Sequence, residues 1–401
     1  MTRTQTSLIV RYYVYMAGAS FGFIAPIWVV LLESRNLSFT EIMVLDAVFA
    51  VTIVLAEVPT GYLGDSIGRR TSMLLSALIV SGCSLAFAVA QRFETFLVVY
   101  FIWAIAITMR SGNDSAWLYD TLKQYGEEAT FTRVRGRGFS VLLMTGAASS
   151  LAAGWLADVD IRYPFVAFAI MGVLSAVVLL TMPEPTIEAA SDAETLSLAH
   201  VREVIQRKLF RPPLRAFVMF VALFYAATWS IEILVQPVST RIGLGFNELG
   251  IMYAAFAVAG AIASGYADQI KERIGVQRWL MAASLALGMS LLLTLAVPLV
   301  ALPAFLLMHT TFNAALPMVE QHLNDRMPSV GRATVLSAMS MAVSVASVPL
   351  KLGSGALADA TSPAMAVVAL GGILLAGGLY VVVVNVPLTG GESLVVGGES
   401  D

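Results

Sequence analysis

Charged residues and cysteine are both scarce in this chain of 401 residues, at 13% of the composition and a single Cys83. A soluble domain ordinarily carries roughly 25% charged residues, so too few are present to cover a soluble globule of this size. One cysteine excludes an internal disulfide and a metal site made of several cysteines. Only three histidines occur, and no phosphate-binding Walker sequence is found. We therefore predict no enzyme activity, no metal and no cofactor.

The features of a nucleic-acid-binding protein are missing as well. The formal net charge is −3 and no long basic run occurs, which gives no support to a DNA or RNA partner. Hydrophobic residues make up 58% of the chain, and the mean hydropathy is +0.80. A membrane-crossing helix needs roughly 20 apolar residues, so the chain can cross a bilayer about a dozen times. We predict an integral membrane protein whose partners are the lipid bilayer and a small-molecule substrate, and which functions as a monomer.

Apolar runs separated by charges and turn residues predict an all-α fold of twelve transmembrane helices. The predicted spans are 7–32, 42–64, 71–91, 95–119, 138–158, 163–182, 214–236, 248–269, 279–298, 300–322, 333–357 and 363–386. One long polar connection divides them six and six. The predicted domains are an N-terminal half at 1–183, a cytoplasmic linker at 184–213, a C-terminal half at 214–387 and a disordered cytoplasmic tail at 388–401.

The distribution of lysine and arginine predicts the orientation, because basic residues accumulate on the cytoplasmic side of a membrane. With the N-terminus inside, 18 of the 24 basic residues lie in inner segments or, like Arg11 and Arg215, near the inner end of a span, and four lie in outer loops. The other two, Arg110 and Lys351, are assigned to neither side. We therefore expect a multi-pass protein of the cell membrane with both termini in the cytoplasm.

Short sequences recur at a spacing near half the chain, which is typical of duplicated transporter halves. The segment at 153–158 resembles the one at 354–359, and Thr60-Gly61-Tyr62 resembles Ser264-Gly265-Tyr266. Each half has an even number of spans, so the two six-helix repeats are predicted to be parallel.

The loop between the second and third predicted spans carries a recognisable motif. Residues 61–70 read Gly-Tyr-Leu-Gly-Asp-Ser-Ile-Gly-Arg-Arg. This resembles the Gly-x-x-x-Asp-x-x-Gly-Arg-Arg/Lys signature of the major facilitator superfamily, and a degenerate second copy stands near 265–275. The preceding Glu-Val-Pro-Thr at 57–60 looks like a prokaryotic branch of that superfamily in which exporters predominate. The resemblance implies a secondary transporter in which two halves alternately open a central site.

The motif also predicts a charged cluster at the cytoplasmic rim. Asp65 and Arg69 can pair with each other or with neighbouring helices, and the resemblance implies that such a cluster stabilises the outward-facing state. A loop staple without a gating role is the alternative. The predicted gating residues are Gly61, Asp65, Gly68, Arg69, Arg70, Asp120 and Arg137.

Ionisable residues within spans are expected to face a partner or a wet cavity, because a charge at the bilayer centre costs about 2.5–3.5 kcal/mol. Arg110 and Asp114 stand four residues apart and are predicted to pair on one helix. The candidates for proton coupling are Asp46, Glu57, Asp114, Glu232 and His309. The candidates for lining a substrate cavity are Arg110, Tyr225, Trp229, Gln236 and Asn313. The alternative for these residues is that they hold helices together.

Three functions are consistent with these patterns. The first is export of small organic or amphiphilic molecules, driven by a proton gradient in an antiporter. The second is proton-coupled uptake of a polar or anionic solute, which Arg110 and Lys351 would favour if they faced the cavity. The third is a membrane sensor that transports nothing.

Overall fold

The computed structural model describes residues 3–185, 214–324 and 332–383, and within these ranges the chain is all-helical. The predicted tail at 388–401 and nearly all of the predicted linker at 184–213 lie outside the described residues. The helices of the first part are α1 (Arg3–Gly18), α2 (Trp28–Ser34), α3 (Phe39–Ile67), α4 (Arg69–Val89), α5 (Phe93–Arg110), α6 (Asn113–Gln124), α7 (Phe131–Val159) and α8 (Tyr163–Leu180). The later helices are α9 (Leu214–Arg241), α10 (Phe246–Gly265), α11 (Ala267–Ile274), α12 (Val276–Leu293), α13 (Ala301–Asn324), α14 (Arg332–Ala360) and α15 (Pro363–Val383).

The predicted all-α membrane fold is confirmed. In the described ranges, eleven helical segments are long and apolar enough to cross a membrane. They correspond to the second to twelfth predicted spans. The place of the first predicted span is taken by the pair α1 and α2.

The first predicted span, 7–32, is therefore wrong as one continuous helix. Residues 19–27 form turns between α1 and α2. Pro26 in this stretch has no N–H to donate. Gly22 brings the backbone so close to α7 that a Cβ would lie 2.1 Å from the carbonyl oxygen of Gly146. The interruption follows from this close approach together with the proline.

The fourth predicted span, 95–119, is also interrupted. Helix α5 ends at Arg110, and α6 begins at Asn113 after Gly112, which has a φ of +79°. A positive φ is readily adopted only by glycine, and it ends the regular helix. A glycine with a positive φ also joins α3 to α4, where Gly68 has a φ of +96°, and α11 to α12, where Gly275 has a φ of +84°. Gly68 and Gly275 stand at matching places in the two motif copies.

Backbone contacts divide the chain into two compact units. The first holds the described residues within Met1–Asp192 together with Gln236–Val258. In it, α4 packs against α5 and α8, while α1 packs against α7 and α8. Its core is aromatic around Tyr12 and Trp117, whose rings stack at 6.3 Å. Cys83 is buried in α4, at 6% exposed.

The second unit holds the described residues within Ala193–Val235 and Ala259–Asp401. Helix α12 packs closely on α15, because small residues let the two backbones approach. A Cβ on Gly288 would lie 2.7 Å from the carbonyl oxygen of Gly371. Within this unit, the glycines of α12 and α15 therefore mark a close backbone contact.

The close approach at Gly22 predicts a stability defect. In a Gly22→Ala variant the new methyl group would meet the carbonyl oxygen of Gly146, and overpacking of this kind costs about 1–3 kcal/mol. We expect a lower thermal midpoint in detergent by tryptophan fluorescence. Gly82→Ala is the matched control, because a Cβ on this residue of α4 would have no atom within 4 Å. An equal midpoint for the two variants would contradict the packing argument.

Candidate functional site

The motif at 61–70 forms a charged cluster at the end of the helices predicted to face the cytoplasm. Arg69, at the start of α4, contacts the carboxylate of Asp120 on α6. Asp65 lies 4.0 Å from the Arg69 Nε, and its side chain is 67% exposed. Asp120 is therefore the main partner of Arg69, and the contact joins α4 to α6. Arg137 is exposed and makes no ion pair with another described residue.

Glu184 completes this cluster, although no pattern in the sequence singles it out. One of its carboxylate oxygens accepts a hydrogen bond from the backbone N–H of Arg70 at 2.9 Å, and the other accepts one from Thr71 at 3.2 Å. An anion at a helix N-terminus satisfies N–H groups that have no partner within the helix. Arg70 in turn donates to the carbonyl oxygen of Met182 at 2.8 Å. The end of the sixth span is thereby tied to the start of the third.

Gly68 is required by the same arrangement. Its φ is positive, and a Cβ there would lie 2.7 Å from the Glu184 carboxyl. A Cβ on Gly61, by contrast, would have no atom within 4 Å. These two glycines of the motif therefore differ: Gly68 is needed by the contact with Glu184, whereas no described atom crowds Gly61.

Asp114 and Arg110 do not form the predicted pair on one helix. The interruption at Gly112 places them on different helices, α5 and α6. Asp114 instead pairs with Arg135 of α7 at 2.9 Å, and the same guanidinium donates to the Tyr12 hydroxyl at 2.9 Å. Arg110 donates to the carbonyl oxygen of Ala19 at 3.3 Å.

Arg135 is thus a site residue that the sequence marks only as one of many basic residues. It lies in a run in which arginine stands at 133, 135 and 137. Helical spacing places Arg133 and Arg137 on one face of α7 and Arg135 on another, and only packing selects the one that reaches Asp114. The side chains of Arg135 and Asp114 are 32% and 15% exposed, so the pair is mostly shielded.

Gln236 is predicted to line a substrate cavity, but the structure places its amide in the interruption between α1 and α2. It is fully buried, at 0% exposed. Its Oε1 accepts hydrogen bonds from the N–H groups of Val29 at 2.9 Å and Val30 at 3.2 Å. Its Nε2 donates to the carbonyl oxygen of Ala25 at 2.7 Å. The side chain therefore supplies partners that the short helix α2 lacks at its N-terminus.

A second contact lies beyond α2, toward the end of the helices predicted to face outward. The Arg241 guanidinium is 3.1 Å from the Glu33 carboxylate. Burial raises the pKa of the Glu33 carboxyl above its usual range, and Arg241 opposes this shift. In the loop after α7, hydrogen bonds from the Arg162 side chain and backbone hold the pKa of Asp160 at about 2.

The first unit contains an aromatic cavity of about 230 Å³. Its wall includes residues from the interruption after α1 and from α2, α3, α4, α5 and α8. The lining residues are Phe21, Ile24, Ala25, Trp28, Asp46, Phe49, Phe87, Tyr100, Trp103, Ile107 and Phe165. Asp46, one of the predicted coupling residues, lines this cavity. Glu57, on the same helix, is exposed.

The second unit brings three of the predicted candidates together with Lys351. His309 Nε2 on α13 lies 3.0 Å from Glu232 Oε2 on α9. Trp229 lies three residues before Glu232 on α9, and the Lys351 Nζ is 6.0 Å from the centroid of the Trp229 ring. Lys351 is 2% exposed. A carboxylate, an imidazole and an ammonium group therefore lie around one segment of α9.

The other two candidates of this unit have local partners. The Asn313 amide donates to the carbonyl oxygen of His309 at 2.8 Å. The Tyr225 ring packs edge-on against Phe312, with ring centroids 5.1 Å apart. Asn313 therefore bonds within α13, and Tyr225 packs α9 against α13.

Together, the membrane-crossing helices and their partly buried ion pairs define a multi-pass membrane protein. A model of the Major Facilitator Superfamily matches residues 14–349, and the chain belongs to this superfamily. This confirms the resemblance drawn from the motif and makes the protein a transporter rather than an enzyme.

Individual relatives agree with the family. The uncharacterized MFS-type transporter YxaM of Bacillus subtilis (strain 168) is 22% identical over 331 residues, which cover 80% of this chain and 82% of the relative. Multidrug resistance protein 1 of the same organism is 23% identical over 266 residues, or 65% of this chain and 64% of the relative. The crystal structure of the nucleoside transporter NupG has a TM-score of 0.78 at 11% identity, covering 95% of this chain and 99% of that one, and shows a shared fold.

The contact between Arg69 and Asp120 predicts energetic coupling. Arg69→Ala and Asp120→Ala should each lower stability in denaturant titrations, and the double variant should be no worse than the poorer single variant. Residues in direct contact show coupling energies of about 0.5–3 kcal/mol. Arg137→Ala is the control and should leave stability unchanged. Strictly additive effects of Arg69→Ala and Asp120→Ala would show that the contact contributes nothing.

Proposed function

We propose that the protein is a proton-coupled exporter of small organic or amphiphilic molecules, working by alternating access. Protons would enter the cell as the substrate leaves, so that the proton gradient supplies the energy and no cofactor takes part. The observation that carries this proposal is the pair of Glu232 and His309, whose side chains lie 3.0 Å apart on two membrane-spanning helices.

A carboxylate beside an imidazole is suited to binding and releasing a proton. The His309 Nε2 lies within reach of the Glu232 carboxylate, so that one proton can be passed between the two groups. When both groups are charged, they form an ion pair, which the membrane tolerates because the two charges face each other. Loss of the imidazole proton would leave the carboxylate as a single charge, and this favours a different conformation of the surrounding helices. Binding of one proton can therefore change which conformation is stable.

The other acids are less suited to this role. Asp114 is paired with Arg135 at 2.9 Å, and this contact joins α6 to α7, which favours a structural role. Glu57 is exposed on α3. We assign proton coupling to Glu232 and His309, and a structural role to Asp114.

Export is supported by similarity to a relative named Multidrug resistance protein 1, at 23% identity. It is also supported by the aromatic cavity, whose lining suits an apolar molecule better than a sugar. The cluster of Arg69, Asp120, Arg70 and Glu184 would serve as the gate, because its contacts join separate segments of the first unit and can break together.

The cell membrane is the proposed location, with both termini in the cytoplasm as the basic residues predict. We also propose that the monomer is functional, because one chain supplies both the coupling pair and the cavity.

Replacing either member of the coupling pair should abolish gradient-driven transport. In Glu232→Gln and His309→Gln proteoliposomes, we expect loss of proton movement upon addition of substrate, measured with a trapped pH dye. A panel of lipophilic cations, sugars, organic acids and amino acids identifies the substrate for the wild-type protein. Substrate exchange without a gradient should persist, because that process needs no net proton transfer.

Glu272→Gln is the matched control, since Glu272 is an exposed glutamate on α11 of the same unit. It should behave as the wild type does. Full proton-coupled flux in both pair variants would overturn the assignment of the coupling site. Movement of substrate and protons in the same direction would instead identify symport.

Uptake of an anionic solute is the second candidate, and Arg110 provides its test. Arg110 donates to the Ala19 carbonyl oxygen and lies 5.8 Å from the centre of the Phe21 ring. We therefore expect Arg110→Ala to lower the thermal midpoint while the surviving folded protein keeps its affinity for substrate. Loss of anion uptake with an unchanged midpoint would favour the symport function. A protein that moves none of the tested solutes would favour a sensor.

A further inference from the structure

The aromatic cavity of the first unit is built to hold a ligand of particular chemistry. Of the described residues that line it, Asp46 is the one with a charged side chain, and seven are aromatic, on five helices and the turn segment. From the sequence, Asp46 is only a candidate proton site. Its position in this wall points to a different role.

We propose that this cavity binds a compact organic cation, with Asp46 as the counter-charge and the aromatic rings as the walls. The part of this inference that makes the cation the exported substrate rests on the proposed function. The part that makes the cavity a cation-binding site rests on the geometry of the first unit alone.

The rings form a rigid wall because they pack against one another. Phe87 stacks on Phe165 with centroids 5.0 Å apart and meets Trp103 edge-on at 6.3 Å. Tyr100 contacts Phe49 edge-on at 5.9 Å. Mutual contacts of this kind fix the ring orientations before a ligand arrives, so little side-chain freedom is lost on binding.

Aromatic walls and a carboxylate favour the same ligand. The faces of aromatic rings carry a negative potential and attract a cation, more strongly where water is excluded. Phe165, Phe87 and Trp103 are 0%, 2% and 6% exposed, so much of this wall is shielded from solvent. An ammonium group near Asp46 would be neutralised by the carboxylate while its apolar body contacts the rings. An anion would meet the carboxylate and the ring faces with the wrong sign.

The size of the cavity limits the ligand to a compact one. Its volume of about 230 Å³ lies below the roughly 300–1,000 Å³ of pockets for drug-sized ligands. A quaternary ammonium group with one aromatic or alkyl substituent fits this description better than a large multi-ring dye does.

Gln236 acts as a positioning residue for this cavity. Ala25, in the turns after α1, and Trp28, at the start of α2, both belong to the cavity wall. The Gln236 amide bonds the carbonyl oxygen of Ala25 and the N–H of Val29 next to Trp28. The conformation of that wall therefore depends on a side chain that does not line the cavity itself.

Binding to the purified full chain tests the inference without any transport. The probe is benzyltrimethylammonium, and the reference is the neutral N,N-dimethylbenzamide of similar size, both measured by tryptophan fluorescence and calorimetry. We expect Asp46→Asn to weaken binding of the cation about tenfold or more, because it removes the counter-charge. Asp46→Glu should keep most of the affinity, and the neutral reference should bind equally weakly to all variants.

Two further variants separate binding from folding. Phe49→Leu should weaken binding of the cation about threefold to tenfold, because one aromatic ring face is lost. Glu94→Gln removes an exposed acid at the start of α5 and should change nothing. Thermal midpoints of all variants verify that the protein is folded when affinity is compared.

The outcomes separate the two proposals. Equal affinity of wild type and Asp46→Asn for the cation, or equal affinity of the wild type for cation and neutral reference, would overturn the inference. Proton-coupled flux of some other solute, with no binding of the cation, would overturn the inference and leave the proposed function intact. Cation binding that depends on Asp46, in a protein without gradient-driven flux, would support the cavity assignment and overturn the exporter.

Discussion

Hydrogen bonding of the main chain is the constraint on which the first unit depends. A membrane provides no water to satisfy backbone groups, so an interrupted helix is stable only when other protein groups replace its lost partners. Here the turns between α1 and α2 bond among themselves, and the buried amide of Gln236 satisfies the N–H groups of Val29 and Val30. The interruption in turn carries Ala25 and Trp28 into the wall of the aromatic cavity. One side chain of α9 therefore supports the shape of a cavity lined by other helices.

The sequence predicts those features of the fold that depend on composition and local pattern. Apolar runs locate eleven of the twelve spans, and the glycine and charge pattern at 61–70 identifies the superfamily that the family match confirms. The same reasoning is wrong at 7–32 and 95–119, where the helices are interrupted. Hydropathy does not distinguish a broken apolar segment from a continuous one. At Gly22 the decisive factor is the backbone of α7, which is more than a hundred residues away in the chain.

Sequence reasoning is limited in the same way at the candidate site, because the ion pairs and the ring contacts depend on how the helices pack. The sequence identifies Asp114 as a buried acid, but its partner Arg135 cannot be chosen from three nearby arginines without knowledge of how α7 packs. Glu184 is the first residue of the predicted linker, although in the structure it caps α4. The rings of the aromatic cavity come from positions as far apart as 21 and 165. No local pattern connects such positions, since each ring alone is an ordinary membrane-facing or core residue.

The single cysteine has a practical consequence. Cys83 is buried in α4 at 6% exposure, among side chains that shield its sulfur from solvent. A thiol reagent added to the folded protein would thus react first with a cysteine introduced at an exposed position. The natural chain is nearly a cysteine-free background as it stands. Spin labels or fluorophores placed on exposed helix ends can report distances between chosen points during a transport cycle without extensive prior mutagenesis.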